Sequence, residues 1–127
     1  MTYTVLIVDD SKLARMSLAK ALSTLHPDWH RVEAANAEEA LQRFKERSPE
    51  VVIIDFNMPG KDGVTLAAEL HESDPTTSVA VISANRQVGV IDRAEAAGAV
   101  FLAKPVTEKA LGDFLISVLK KRRAGSE

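Results

Sequence analysis

Val5-Leu6-Ile7-Val8-Asp9-Asp10 is the stretch that decides the fold. Four apolar residues in a row, with no polar alternation, read as a strand covered on both faces, which is the habit of a parallel sheet. Three more runs have the same character: Val51-Val52-Ile53-Ile54, Val79-Ala80-Val81-Ile82 and Val100-Phe101-Leu102-Ala103. Each closes on a polar residue, Asp55, Ser83 and Lys104 in turn. A fifth segment, Arg31-Val32-Glu33-Ala34, alternates instead, which suits an edge strand with one wet side.

Helical patterns fill the gaps. Ala14, Leu18, Ala21, Leu22 and Leu25 fall on one helical face. Asn36 followed by Glu39 resembles a capping box and opens a helix carrying Ala40, Leu41 and Phe44. A third helix is expected from about Gly63 to Glu72. A fourth runs from about Gln87 to Ala97 and stops at Gly98, a natural residue just past a helix end. The last starts after Thr107 and shows the stripe Leu111, Phe114, Leu115, Val118, Leu119. Strand and helix therefore alternate five times, which predicts an α/β protein whose five-stranded parallel sheet has helices on both faces. With the alternating second strand at an edge, the strand order is 2-1-3-4-5, the order of a flavodoxin-like (βα)5 three-layer sandwich.

The bulk numbers narrow the function. A chain of 127 residues suits one domain over 1–127, with a core of about 3–120 and a basic, loose tail at 121–127. Cysteine is absent, which excludes a disulfide framework and thiolate chemistry. A net charge of −2 gives no electrostatic reason to expect nucleic acid. Met1-Thr2-Tyr3-Thr4 leads straight into a strand, so no signal peptide is indicated, and no apolar run approaches the ~18 residues of a membrane span. A cytoplasmic protein without membrane contact is the expectation.

In a parallel sheet of this order, ligands bind beyond the carboxyl ends of the strands. Asp9, Asp10, Asp55, Ser83 and Lys104 all fall there. Crowded carboxylates repel and raise one another's pKa unless a cation intervenes. All-oxygen ligation suits Mg²⁺, with Mn²⁺ as a substitute, rather than zinc. A metal in that place would bridge an incoming phosphoryl group to Asp55. Lys104 offers a second positive point and Ser83 a hydroxyl donor. A carboxylate nucleophile that forms an acyl phosphate is established chemistry.

These runs, together with Ile54-Asp55-Phe56-Asn57-Met58-Pro59-Gly60, Asp62-Gly63, Ser83-Ala84 and Lys104-Pro105, resemble the receiver domain of bacterial two-component response regulators, in particular its single-domain, chemotaxis-regulator-like form. The resemblance spans about residues 3 to 120. It implies that Asp55 is the phosphoacceptor. It implies that Asp10, Asp55 and the backbone carbonyl of Asn57 hold Mg²⁺, with Asp9 acting mainly through water. Ala84 is small beside the incoming group, Lys104 contacts it, and the Lys104-Pro105 bond is cis. Ser83 and Phe101 are the implied switch residues, and Asn57 and Asn85 the residues that tune phosphate lifetime. The implied donor is a histidine kinase or histidine phosphotransfer protein. The implied output is a protein target that docks on the face of the fourth helix, fifth strand and fifth helix. In that reading the chain is a phosphoprotein of the phosphorelay, and it catalyses only its own phosphorylation and dephosphorylation.

Competing readings exist. A haloacid-dehalogenase-type phosphatase also uses an aspartyl phosphate, but it needs a second Asp two residues on, where Asp9 has Ser11 and Asp55 has Asn57. A binding module of the same fold that never takes phosphate is opposed by the intact Asp10, Asp55, Ser83 and Lys104 set. His26, His30 and His71 fall away from the strand ends, and Trp29 reads as a packing residue. Lys120-Lys121-Arg122-Arg123 reads as solvated charge complementing a helix dipole.

Overall fold

The computed structural model describes residues 2–85 and 87–125. Among them, strands β1 (Thr4–Val8), β2 (His30–Ala34), β3 (Val51–Asp55), β4 (Ser78–Ser83) and β5 (Ala99–Ala103) alternate with helices α1 (Lys12–Leu25), α2 (Ala37–Arg47), α3 (Gly63–Ser73), α4 (Val88–Ala96) and α5 (Glu108–Gly125). The sheet order is β2-β1-β3-β4-β5, and every neighbouring pair is parallel. Register aligns Val8 with Ala34 and Ile54, Asp55 with Ile82, and Ser83 with Ala103. The polar residues that end the strands are therefore brought to one edge.

Side chains along a strand alternate between faces, so each apolar run feeds two cores. Leu6, Val8, Val52, Ile54, Val79 and Val81 pack with Ala40 and Phe44 of α2, Leu66 and Leu70 of α3, and Ala94 of α4. Val5, Ile7, Val51, Ile53, Ala80 and Ile82 pack with Leu18 and Leu22 of α1 and with Leu111, Phe114, Leu115 and Val118 of α5. This is why Val5–Val8 of β1 and Val51–Ile54 of β3 are apolar at every position.

The helix starts follow local chemistry. Ser11 caps α1 through the Ala14 amide (3.2 Å), Asp62 caps α3 through the Thr65 amide (2.9 Å), and the Thr107 hydroxyl receives the Ala110 amide (3.0 Å) at α5. Asn36 caps α2 through the Glu39 amide (2.8 Å), while the Glu39 carboxylate receives the Ala35 amide (2.9 Å), one residue earlier than in a capping box. Gln87 makes no side-chain cap bond to α4 among the described residues. Gly98 follows Ala97 at the end of α4 with φ +82°, a left-handed turn that glycine enters without Cβ strain.

Three expectations are corrected. β5 is the second edge rather than a strand buried on both faces: Val100 is 47% exposed, because among the described residues the sheet ends at β5. The tail expected from residue 121 is helical through Gly125, while Ser126 and Glu127 lie outside the described residues. Arg122 is not simply solvated. Its guanidinium lies 5.6 Å from the Tyr3 ring centroid and donates to the Thr76 carbonyl (3.1 Å), which ties the last turns of α5 to the start of β1.

Candidate functional site

β1 delivers Asp9 and Asp10, β3 ends on Asp55, β4 ends on Ser83, and Lys104 directly follows β5. Asp9, Asp55 and Ser83 are buried, at 1%, 3% and 0% exposure, whereas Asp10 is exposed. One carboxylate oxygen from each of Asp9, Asp10 and Asp55 lies within 4.8 Å of the other two. Lys104 Nζ stands 2.8 Å from Asp55 Oδ1. That contact is an ion pair without hydrogen-bond alignment, since Asp55 Oδ1 has no hydrogen-bond partner among the described residues. Backbone bonds fix the strand ends: the Phe56 amide donates to the Ile82 carbonyl (2.9 Å), and the Lys104 amide to the Ser83 carbonyl (2.9 Å).

Asp9 is held on several sides. Its amide donates to the Ala34 carbonyl (3.1 Å), and its Oδ1 accepts from the Ser11 amide (2.9 Å). Its Oδ2 is buried with no partner among the described residues. Burial, foremost, pushes the Asp9 carboxyl above its ordinary value; the Ser11 amide pulls it back, and the charge of Asp55 pushes it up again. A buried, unpaired oxygen on one of three clustered carboxylates is what a hard cation satisfies, so this donor set fits a divalent ion bound through oxygen.

The other expected residues fall as follows. Ala84 and Asn57 are exposed next to the strand ends. The Ser83 hydroxyl accepts from the Asn85 amide (3.0 Å), and the Asn85 side chain accepts from the Gln87 amide (3.0 Å), so both residues shape the β4–α4 turn. The Lys104-Pro105 bond is cis. Phe101 is half-buried against the α2–α4 core, in register with Val81. His26, His30 and His71 stay away from the cluster: His26 and His30 flank the start of β2, and His71 packs under Gly98. An open cleft of about 770 Å³ is lined by Asp9, Leu18, Ile82, Lys104 and Pro105.

Two residues were not legible beforehand. Gly63 starts the third helix as expected, but a Cβ there would lie 2.4 Å from the Asp55 carbonyl oxygen, so α3 starts hard against the end of β3. Arg15 donates from Nη1 to the Asp9 carbonyl (2.7 Å) and from Nε to Glu33 Oε1 (2.9 Å). Only its place one turn inside α1 hinted that it could reach back to the strand end.

A (βα)5 sheet with clustered aspartates and a paired lysine at its carboxyl edge defines a receiver of the two-component kind. The response regulator receiver domain family matches residues 5–115, and the chain belongs to that family. It is 35% identical over 117 residues to the chemotaxis protein CheY of Thermotoga maritima, covering 91% of this chain and 97% of that one. It is 34% identical over 122 residues to the positive alginate biosynthesis regulatory protein of Pseudomonas aeruginosa. That match covers 94% of this chain but 48% of the relative, so the chain spans about half of that protein's length. The solved signal receiver domain of an HD domain-containing protein from Pseudomonas fluorescens is similar with a TM-score of 0.88 at 26% identity, over 98% of this chain and 99% of that one. No helix among the described residues is long and apolar enough to cross a membrane.

Proposed function

We propose that this receiver is a phosphorylation switch whose phosphoacceptor is Asp55, and that it forms a single domain over residues 1–127. The observation that carries the reading is the placement of Asp55: a buried carboxylate at the end of the central strand β3, 2.8 Å from the Lys104 ammonium and clustered with Asp9 and Asp10. In the proposed reaction a carboxylate oxygen of Asp55 attacks the phosphorus of a phosphohistidine on a histidine kinase or histidine phosphotransfer protein. The P–N bond breaks, its electron pair returns to the imidazole, and an aspartyl phosphate forms. Lys104 then exchanges its carboxylate partner for a phosphoryl oxygen, and Ser83 donates its hydroxyl to another.

Asp10, Asp55 and the Asn57 carbonyl would hold Mg²⁺, with Asp9 bound through water. When bound, the ion neutralises charge on the transferring group. Ala84 leaves room beside that group, and Asn57 and Asn85 flank it and set the phosphate lifetime. Movement of Ser83 toward the phosphoryl group frees space for Phe101 to turn inward, which reshapes the face of α4, β5 and α5 for a protein target. The near-balanced charge gives nucleic acid no purchase, and a cytoplasmic place fits a partner kinase. The chain turns over no outside metabolite; it catalyses only the gain and loss of its own phosphate.

The test is intact-protein mass after incubation with Mg²⁺ and acetyl phosphate, for wild type beside Asp55→Ala. One added phosphoryl group that requires both Mg²⁺ and Asp55 supports the reading. Labelling that survives in Asp55→Ala overturns the assignment of the acceptor. An unlabelled wild type, with acetyl phosphate and with a phosphorylated histidine donor alike, would make the chain a phosphate-independent binding module of the same fold.

A further inference from the structure

The acidic corner has a cation of its own behind it. Arg15 projects from the second turn of α1 back over the end of β1, and its side chain is 15% exposed. Its Nη1 donates to the Asp9 carbonyl at 2.7 Å and its Nε to Glu33 Oε1 of β2 at 2.9 Å. The Asp9 carbonyl belongs to the peptide plane that joins Asp9 to Asp10, and that plane is rigid. Anchoring this oxygen restricts the tilt of that plane, and with it the Cα–Cβ directions from which the two carboxylates leave the chain. The Asp9 amide is already tied to the Ala34 carbonyl and Asp9 Oδ1 to the Ser11 amide. The guanidinium completes the set, leaving the buried Asp9 Oδ2 as the atom without a partner among the described residues.

A positive group so close to a cation site has a cost. By charge alone, Arg15 repels a divalent ion. Glu33 offsets that charge and holds the guanidinium fork in the orientation that serves Asp9. The two effects of Arg15 therefore have opposite signs, and removing the side chain separates them.

We propose that Arg15, braced by Glu33, is a positioning residue that sets the divalent-cation affinity of the Asp9–Asp10–Asp55 cluster through the Asp9–Asp10 peptide. The proposal rests on reading that cluster as a cation site. Outer partners that orient metal ligands typically change affinity by about 10- to 100-fold when removed. Arg15→Met keeps the apolar stem and loses both the hydrogen bond and the charge, so positioning predicts weaker binding where electrostatics alone predicts tighter.

The experiment titrates the full chain with Mn²⁺, following the free ion by electron paramagnetic resonance, with competition by Mg²⁺. Wild type is compared with Arg15→Met, Arg15→Lys, Glu33→Gln and Asp10→Ala, each checked for a cooperative thermal transition. Arg15→Met should bind about tenfold more weakly or worse. Arg15→Lys should fall between Met and wild type, since one ammonium can reach the carbonyl but cannot form the fork. Glu33→Gln should weaken binding at low salt, and the loss should shrink at high salt, where charge is screened. Arg15→Met binding as tightly as wild type or tighter, while Asp10→Ala has lost the ion, overturns the positioning role and leaves the cation site standing. Equal binding by wild type and Asp10→Ala overturns the cation site itself and the proposal with it. If Arg15→Met does not fold, Arg15→Gln takes its place with the same expected direction.

Discussion

Asp55 is a buried carboxylate, and the Lys104 ammonium meets its charge at 2.8 Å. Removing the lysine leaves that charge clustered with two other carboxylates and without its paired ammonium. Breaking a buried pair from one side costs several kcal/mol, and the 36% exposure of Lys104 reduces this to about 1–3 kcal/mol. Lys104→Ala should therefore be destabilised by that amount in chelator, and Mg²⁺ should restore more stability to it than to wild type, because the ion supplies the missing positive charge. Urea unfolding of both proteins with and without Mg²⁺ is the measurement; identical shifts would mean that the pair contributes nothing. Gly63 gives a second residue-scale prediction. A Cβ at 2.4 Å from the Asp55 carbonyl oxygen and 2.9 Å from Phe56 Cα meets backbone, which cannot swing aside. Gly63→Ala should cost about 1–3 kcal/mol or more and weaken Mg²⁺ binding by displacing Asp55. The matched control is Gly89→Ala in α4, where an added Cβ meets nothing within 4 Å and stability should rise by about 0.5–1 kcal/mol.

Asp62 links two helices to the loop that follows the candidate acceptor. Its Oδ1 caps α3 through the Thr65 amide, and its Oδ2 pairs with Arg93 of α4 at 3.2 Å. The same Arg93 lies 5.8 Å from the ring centroid of Phe56, the residue after Asp55. α4 has no side-chain cap from Gln87 among the described residues, so this brace is part of what holds it. Burial pushes the Asp62 carboxyl up, but the Thr65 amide, the Arg93 guanidinium and the Thr65 hydroxyl together outweigh it and hold the group below its ordinary value of 3.8. A carboxyl depressed in the folded state adds stability above its unfolded pKa, and that stability is lost as pH falls through the lower folded value. Asn caps a helix as well as Asp does, so Asp62→Asn removes the charge and keeps the cap. The variant should be less stable than wild type by no more than about 1 kcal/mol at neutral pH, as both partners reach solvent. The gap should close as pH drops below about 4, and urea midpoints from pH 6 to pH 3 would show it. A gap that does not narrow at all between pH 6 and pH 3 would place the effect outside this ionisation.

On the scale of the molecule, the runs Val5–Val8 and Val51–Ile54 carried the architecture because unbroken apolar strands have few other homes, and the residues ending them carried the site. Less was legible where a role depends on approach rather than residue type. Gly63 looks like any turn glycine, Arg15 like any helix arginine, and Val100 like any core valine, until the sheet is assembled and an edge, a carbonyl or a neighbouring backbone is found beside it. Arg122 is a further case: its partners Tyr3 and Thr76 are distant in sequence and meet it only at the far end of the sheet. That end also holds the chain's single tryptophan. Trp29 is 5% exposed, stacks on His26 at 3.9 Å between ring centroids with planes 12° apart, and lies 4.9 Å from the Tyr3 ring. Register pairs Thr4 with His30, so this stack sits at the amino ends of the strands, while the aspartates sit at the carboxyl ends. Strands of five residues separate the two by roughly 16 Å. Side chains of both cores fill the space between, and Trp29 itself belongs to the core shared with α1 and α5. Its emission should therefore follow unfolding in urea at the same midpoint as helical circular dichroism, as a cooperative single unit requires. It should stay unchanged when Mg²⁺ and acetyl phosphate are added to the folded protein. A change on phosphorylation that is absent in Asp55→Ala would mean that switching crosses the whole sheet instead of stopping at the carboxyl edge and the face of α4, β5 and α5.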